Sequence, residues 1–303
     1  MVSGLYIAYT MKPKQLTIFT PTYNRADVLP RLYESLCAQD CDDFLWLIVD
    51  DGSTDATSSL VRIWQEEGDI DICYVTQPNG GKMRAHNRGV TLCQTELFVC
   101  IDSDDCLSSP TVISEMLAFW ATHVTEGNSP EVCGMLSYRK TEGLVGYFPQ
   151  GGECLFTLRE VQEHGCTAET TLVFKTAVIR QYPFPEIDGE KFITEAVVYD
   201  RLDMHYKYLL FPHYTQLCEY QPDGYTSHGW DYLMANPKGY RMYYNQLIEL
   251  GRGSKVYNMK MYIACSLVAG DGNMFAACSS KMLLLLLLPL GFRQYRKLLN
   301  GKW

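Results

Sequence analysis

An α/β layer fold with a mostly parallel central sheet is the fold class this sequence predicts, and three observations carry it. Four short runs, "LTIF" (16–19), "FLWLIV" (44–49), "ICYV" (72–75) and "LFVCI" (97–101), are nearly continuous in apolar residues, as strands covered on both faces are. Stretches of helical periodicity separate them. Clusters of acidic or basic residues follow the second, third and fourth runs, and ligands of such sheets gather at the carboxyl ends of the strands.

Between the first two runs, Leu29, Leu32, Tyr33 and Leu36 recur at helical spacing. A second helix is expected to start near Thr54 or Asp55, to carry Leu60, Val61 and Trp64, and to fray at Gly68. After "ICYV" and the loop "TQPNGGK", a third helix is expected around residues 83–93. The middle of the chain is less regular. "GMLSY" (134–138), "TTLVF" (170–174) and "YKYLLF" (206–211) read as further strands, and "KTAVIRQ" as a short helix stopped by Pro183. Past about residue 236 the pattern is helical, and no internal repeat is visible. The first residues, through position 14, read as an extension outside the core. "MVSGLYIAYT" lacks the basic start and cleavage site of a secretory signal.

With 303 residues, 47% of them apolar and 20% charged, the chain can bury one large core or a core with a smaller appendage. A net charge of −9 argues against a nucleic-acid binder, which would need clustered Lys and Arg. The twelve cysteines form no CxxC pair and no repeating spacing, so free thiols in a reducing, cytoplasmic compartment are expected and a structural zinc site is not.

Three clusters carry chemistry. In "VDDGSTD", Asp50 and Asp51 stand just before a Gly turn, where a carboxylate can accept hydrogen bonds from a sugar hydroxyl or a base N–H. Helix capping accounts for Ser53, Thr54 or Asp55 but not for these two. In "GGKMRAHNRG" two glycines allow close backbone approach, and Lys82, Arg84 and Arg88 supply charge for a phosphate. A turn before a solvated basic helix face is the plainer alternative. "CIDSDDC" places Asp102, Asp104 and Asp105 within four positions after an apolar strand. Like charges that close resist burial, and a hard cation such as Mg²⁺ or Mn²⁺ takes one or two such carboxylates together with substrate phosphates. A solvated acidic turn explains them singly, but three charged clusters at successive strand ends of one sheet make a coherent site.

Taken in order and spacing, "TIFTPTYNR", "VDDGSTD", "GGKMRAHNRG" and "IDSDD" resemble the inverting family 2 glycosyltransferases, across roughly residues 15–203. The resemblance implies a GT-A fold, a Rossmann-like three-layer sandwich, followed here by a helical C-terminal extension. It divides the chain into residues 1–14, a nucleotide-sugar-binding half (15–110), an acceptor-binding half (111–235) and a basic, Leu-rich extension (236–303). It implies that Pro21, Tyr23 and Asp51 line the nucleotide base, that Lys82 and Arg84 face the nucleotide or diphosphate, and that Asp102 contacts ribose. Asp104, with Asp105, would hold Mn²⁺ or Mg²⁺. His86 stands where many relatives have Arg, and no role is assigned to it. Family members use a catalytic base, often the second acid of a Glu-Asp pair six residues before an Arg. "ITEAVVYDRL" has Thr194-Glu195 and Arg201 in those places, which makes Glu195 the candidate base and Glu190 the runner-up.

The implied reaction moves a sugar from a nucleoside diphosphate donor, a UDP-sugar first among them, to an acceptor hydroxyl with inversion, in the synthesis of cell-surface polysaccharide or glycan. The acceptor is a glycan or lipid-linked glycan. Rival readings are a non-catalytic sugar-nucleotide binder or scaffold, a phosphatase and a nucleotidylyltransferase. A phosphatase would place its Asp-x-Asp on the first strand, and a nucleotidylyltransferase would show a glycine-rich, basic signature there. "YQPDGYTSHGW" (220–230) reads equally as an acceptor loop or a plain surface loop. Residues 272–303 hold five Lys or Arg and no acid around "MLLLLLLPLGF", a run too short to span a bilayer and interrupted by Pro289. This end either rests on an anionic membrane surface, through residues 281–303, or packs on the domain with a solvated basic tip.

Overall fold

The computed structural model describes residues 14–125, 127, 129–149, 154–218 and 228–301. The expected N-terminal extension before Lys14, most of "YQPDGYTSHGW" and Trp303 lie outside the described residues.

The first half alternates as its periodicity requires: β1 (Leu16–Thr22), α1 (Leu29–Cys37), β2 (Phe44–Asp50), α2 (Thr57–Glu67), β3 (Ile72–Thr76), α3 (Lys82–Leu92) and β4 (Leu97–Cys100). All four apolar residues singled out in α1 are buried. α2 ends at Gly68, whose φ of 72° is the left-handed conformation glycine adopts without strain. It starts at Thr57, later than expected. Asn24 Oδ1 accepts from the Thr54 and Asp55 N–H groups (2.7 and 3.3 Å), and Asp55 Oδ2 from Ala26 N–H (3.1 Å), which holds this stretch as a loop.

The second half brings β5 (Cys106–Leu107), α4 (Val112–His123), β6 (Val132–Lys140), β7 (Leu155–Phe156), α5 (Leu158–Glu163), β8 (Thr170–Lys175), α6 (Thr176–Ile179), α7 (Ala196–Leu202) and β9 (Lys207–Leu217). Of these, β5, β7, α4 and α5 had no reading in the sequence, and β9 runs six residues past "YKYLLF". The chain then turns helical: α8 (Gly229–Ala235), α9 (Pro237–Glu249), α10 (Lys255–Ala269) and α11 (Lys281–Leu299). α11 continues through Pro289, where an interruption was expected.

One sheet joins both halves in the order β3-β2-β1-β4-β8-β6-β9-β5, with β7 beside β9. The pairings among β1 to β4 are parallel. β8 runs antiparallel to both β4 and β6, so β6 and β9 again point the same way as β4. The carboxyl ends of β1, β2, β3, β4, β6 and β9 therefore share one edge.

Alternate strand residues face opposite sides, as the period of two demands. Ile18, Trp46, Val99 and Met135 pack against α1, α2 and α4 in one apolar cluster. Phe19, Leu47, Phe98 and Phe174 pack against α3, α6 and α7 in the other. The result is a helix–sheet–helix sandwich. A third cluster, including Leu233, Tyr262 and Leu298, is drawn from the C-terminal helices alone. Gly291 lets α11 approach α10, since a Cβ there would lie 2.4 Å from Ile263 Cγ2.

Candidate active site

The shared edge opens into a cleft of about 1350 Å³. Pro21, Tyr23, Asp51, Lys82, Asp102, Asp104, Asp105 and Glu195 all line it, as do Arg139, Glu169 and Tyr199. Arg84, Arg88, Glu190 and Arg201 lie outside that lining.

Lys82, the first residue of α3, is the centre of the polar wall. Its Nζ lies 2.7 Å from Asp102 Oδ1 and 3.1 Å from Glu195 Oε1. Arg139 completes the wall from the end of β6, its Nη1 being 3.2 Å from both Asp102 Oδ2 and Asp105 Oδ2 and 3.7 Å from Glu169 Oε2. Burial works against the charge on Asp102, but Lys82 and Arg139 together outweigh it and hold the carboxyl well below the usual carboxylate range. At Asp105, 1% exposed, burial dominates and pushes the carboxyl up to about 6 despite Arg139. Burial and the neighbouring charge of Asp102 also raise Asp104, which forms no ion pair among the described residues.

Asp50 and Asp51 are both buried and have different tasks. Asp50 accepts from Ser53 N–H (2.7 Å) and from the Tyr74 hydroxyl beneath the turn. Asp51 accepts from Gln77 Nε2 (2.8 Å) and from the Gly80 and Gly81 N–H groups (2.9 and 2.7 Å). It thus fixes the loop that delivers Lys82, while part of it still faces the cleft. Tyr23 is the exposed aromatic at the rim, 47% accessible.

The basic signature after β3 divides its labour. Arg84 donates to the carbonyls of Gly80, Ile187 and Glu190 at 2.7, 2.8 and 2.7 Å, and its Nε lies 3.6 Å from Glu186 Oε2, so its guanidinium is committed to this segment and lies outside the cleft lining. Asn87 exchanges two hydrogen bonds of 2.9 Å with the Phe184 backbone. These contacts fasten the segment 184–191 that leads to Glu195. Arg88 donates to the Thr76 carbonyl. Gly81, at φ 94°, is pressed so closely that a Cβ would stand 1.9 Å from the Lys191 carbonyl oxygen.

Glu195 sits at the start of α7 with a side chain 40% exposed to the cleft. Glu190, the runner-up, is turned away: its two oxygens accept from the Lys238 and Gly239 N–H groups, both at 2.8 Å, and so cap α9. Arg201 bonds Gln246 on α9 (2.8 Å). His86 is buried among Phe19, Phe98 and Phe184 with Nε2 unpartnered, and burial pulls its imidazole down to about 4. Arg139 and Glu169 escaped sequence reading. Arg139 directly follows the strand "GMLSY", the same strand-end signal that located the aspartates, but the antiparallel turn through β8 hid which end of that strand reaches the cleft.

The fold is that of a GT-A sandwich. Two solved structures share it, and at such low identity the likeness concerns the fold. Staphylococcus aureus TarS 1–349, in complex with UDP-GlcNAc, superposes with a TM-score of 0.62 at 16% identity, covering 95% of this chain and 93% of that one. The mannosyltransferase PcManGT of Pyrobaculum calidifontis, in complex with GDP-Man and Mn²⁺, gives 0.54 at 17% identity, over 98% and 87%. Residues 17–134 match the model of Glycosyl transferase family 2. A PGL/p-HBAD biosynthesis glycosyltransferase of Mycobacterium tuberculosis is 31% identical over 113 residues, 37% of this chain and 44% of the relative. The validoxylamine A glucosyltransferase of Streptomyces hygroscopicus is 35% identical over 107 residues, 34% of this chain and 25% of the relative. The chain thus matches less than half the length of these curated relatives.

Proposed function

We propose that the chain transfers a glycosyl group from a nucleoside diphosphate sugar, a UDP-sugar first among the candidates, to an acceptor hydroxyl with inversion, in glycan synthesis at the cytoplasmic side of the cell. The observation that carries this reading is the Lys82 bridge, which brings a carboxylate wall and a solvent-accessible Glu195 together in one cleft. Glu195 takes the proton of the acceptor hydroxyl as general base. The freed oxygen attacks the anomeric carbon from the face opposite the diphosphate, and the bond to the diphosphate oxygen breaks. A single displacement of this kind inverts the centre and needs no covalent intermediate. Tyr23 and Pro21 at the rim suit the base, and Asp102, held ionised by two cations, suits acceptance from ribose hydroxyls.

The donor set fits a divalent cation. Asp102, Asp104, Asp105 and Glu195 gather around Lys82 and Arg139, with Arg25 and Glu169 also in the lining, so an incoming diphosphate meets a concentration of carboxyl groups that a cation would offset. Asp104 forms no ion pair among the described residues, although Arg25 and Lys82 act on its charge, while Asp105 is buried against Arg139. We therefore assign metal holding to Asp104, with Asp105 positioning Arg139. A bound Mn²⁺ or Mg²⁺ supplies Lewis-acid stabilisation of the departing diphosphate. Arg84 and Asn87 hold the base-bearing segment in place through their backbone contacts.

Thermal stabilisation by a panel of nucleoside diphosphates with and without Mn²⁺, followed by transfer assays on Glu195→Gln, tests the reading. Retained donor binding with lost transfer is expected. A Glu195→Gln enzyme with unchanged turnover would remove Glu195 as base, and no stabilisation by any nucleoside diphosphate would remove the function.

A further inference from the structure

The first half of α11 is apolar all round, which is normal for a helix buried on every side. Among the described residues, only one side is covered. Leu284, Gly291 and Leu298 are buried in the face packed on α10. On the other side Met282, Leu285, Leu286 and Leu290 are 76, 59, 69 and 42% exposed. Their spacing of three, one and four residues puts them on a single stripe. No helix among the described residues is long and apolar enough to cross a membrane.

Charge decides what covers the stripe. One turn further along the helix, Arg293, Arg296 and Lys297 are exposed on the same outward side, Lys281 is exposed at its start, and residues 272–303 contain no acid in a chain of net charge −9. A second copy docking face to face would cover the leucines but bring no acid to these cations, since residues 272–303 hold none. A bilayer with anionic headgroups satisfies both parts, taking the leucines at the acyl boundary and the cations at the headgroups. We propose that this face of α11 is a docking surface for an anionic membrane, on which the helix lies flat. Trp230 Nε1 donates to the Leu298 carbonyl (2.9 Å), which ties the basic end of α11 to α8, the helix that carries Tyr232 into the cleft lining. The proposal stands apart from the glycosyl-transfer reading, because its readout is binding.

The test is co-sedimentation of the full chain with vesicles of phosphatidylcholine alone and of equal parts phosphatidylcholine and phosphatidylglycerol, together with its mass in solution. Binding to the anionic vesicles only, weakened as salt rises from about 0.1 to 1 M and the Debye length contracts from about 10 to 3 Å, is expected. Leu285→Ser with Leu286→Ser should lower partitioning on the order of a hundredfold. Arg296→Glu with Lys297→Glu should lower it at least about tenfold. Circular dichroism and the melting temperature of each variant report that the helix still folds. Equal binding to neutral and anionic vesicles, or binding to neither, overturns the proposal. So does a dimer that the serine pair dissociates while vesicle binding is absent, which would give the face to a second copy.

Discussion

Lys82 Nζ lies 3.1 Å from Glu195 Oε1 while holding Asp102 at 2.7 Å, so a single ammonium joins the α7 carboxylate to the end of β4. On the proposed reading, Glu195 receives the acceptor proton. Glu195→Gln is expected to lower kcat by roughly 10²–10⁴-fold with the donor Kd unchanged. Glu195→Asp retracts the carboxylate by one methylene and should cost about a hundredfold, since a misplacement of about 1 Å suffices for that. Steady-state kinetics with calorimetric donor titration checks both.

Arg84 separates two accounts of the basic signature. A phosphate contact would make Arg84→Ala a donor-binding defect. Its three carbonyl partners instead predict lower stability, by about 2–3 kcal/mol for a charged group lost from neutral acceptors, and a lower kcat from a loosened 184–195 segment. Donor Kd should hold within about threefold, a shift well under 1.4 kcal/mol. Thermal melts and donor titration distinguish the two outcomes.

Asp104 and Asp105 are two residues of one motif with unlike surroundings. Stabilisation of the protein by UDP with Mn²⁺, beyond UDP alone, should vanish in Asp104→Asn and persist in Asp105→Asn. The measurement is a melting curve and does not depend on turnover.

Two buried groups set opposite pH trends. His86 has a folded value of about 4 against an ordinary value of 6.5, so the stability linked to its neutral form is present above 6.5 and is lost as pH falls towards 4. Asp105 is raised from 3.8 to about 6, so its contribution is present below 3.8 and is lost as pH rises through 6. At about 1.4 kcal/mol per unit each amounts to roughly 3 kcal/mol. His86→Leu should flatten the melting temperature between pH 6.5 and 4. Asp105→Asn should gain on the native protein between pH 4 and 7, with the gain complete at pH 7.

Gly81→Ala should be among the most damaging single-methyl changes. It needs φ 94° from an alanine and sets a Cβ 1.9 Å from the Lys191 carbonyl oxygen. The cost expected is at least about 2 kcal/mol of stability, together with loss of transfer as Lys82 and the Glu195 segment part. A denaturant melt and an activity assay read the two effects separately.

The amino-acid sequence alone determined the alternation of the first hundred residues and the chemistry at their ends. Burial on both faces leaves strands no choice but continuous apolar runs, and charged residues just beyond them can only stand at the ligand edge. Asp51, Lys82, Asp102, Asp104 and Asp105 were therefore legible by position, and Pro21, Tyr23 and Glu195 by their places in a family pattern. Pairing across the sheet was not. Nothing local says that β8 runs antiparallel to β4, yet that reversal points β6 towards the cleft and makes Arg139 the partner of Asp102 and Asp105. Nor does spacing reveal that Arg84 turns to backbone carbonyls, or that Glu190 caps a helix that starts 47 residues later at Pro237. Which charge meets which is a property of long-range packing, because a charged group takes whichever partner the fold brings within about 4 Å. The residue types named the chemistry, and the tertiary structure assigned the partners.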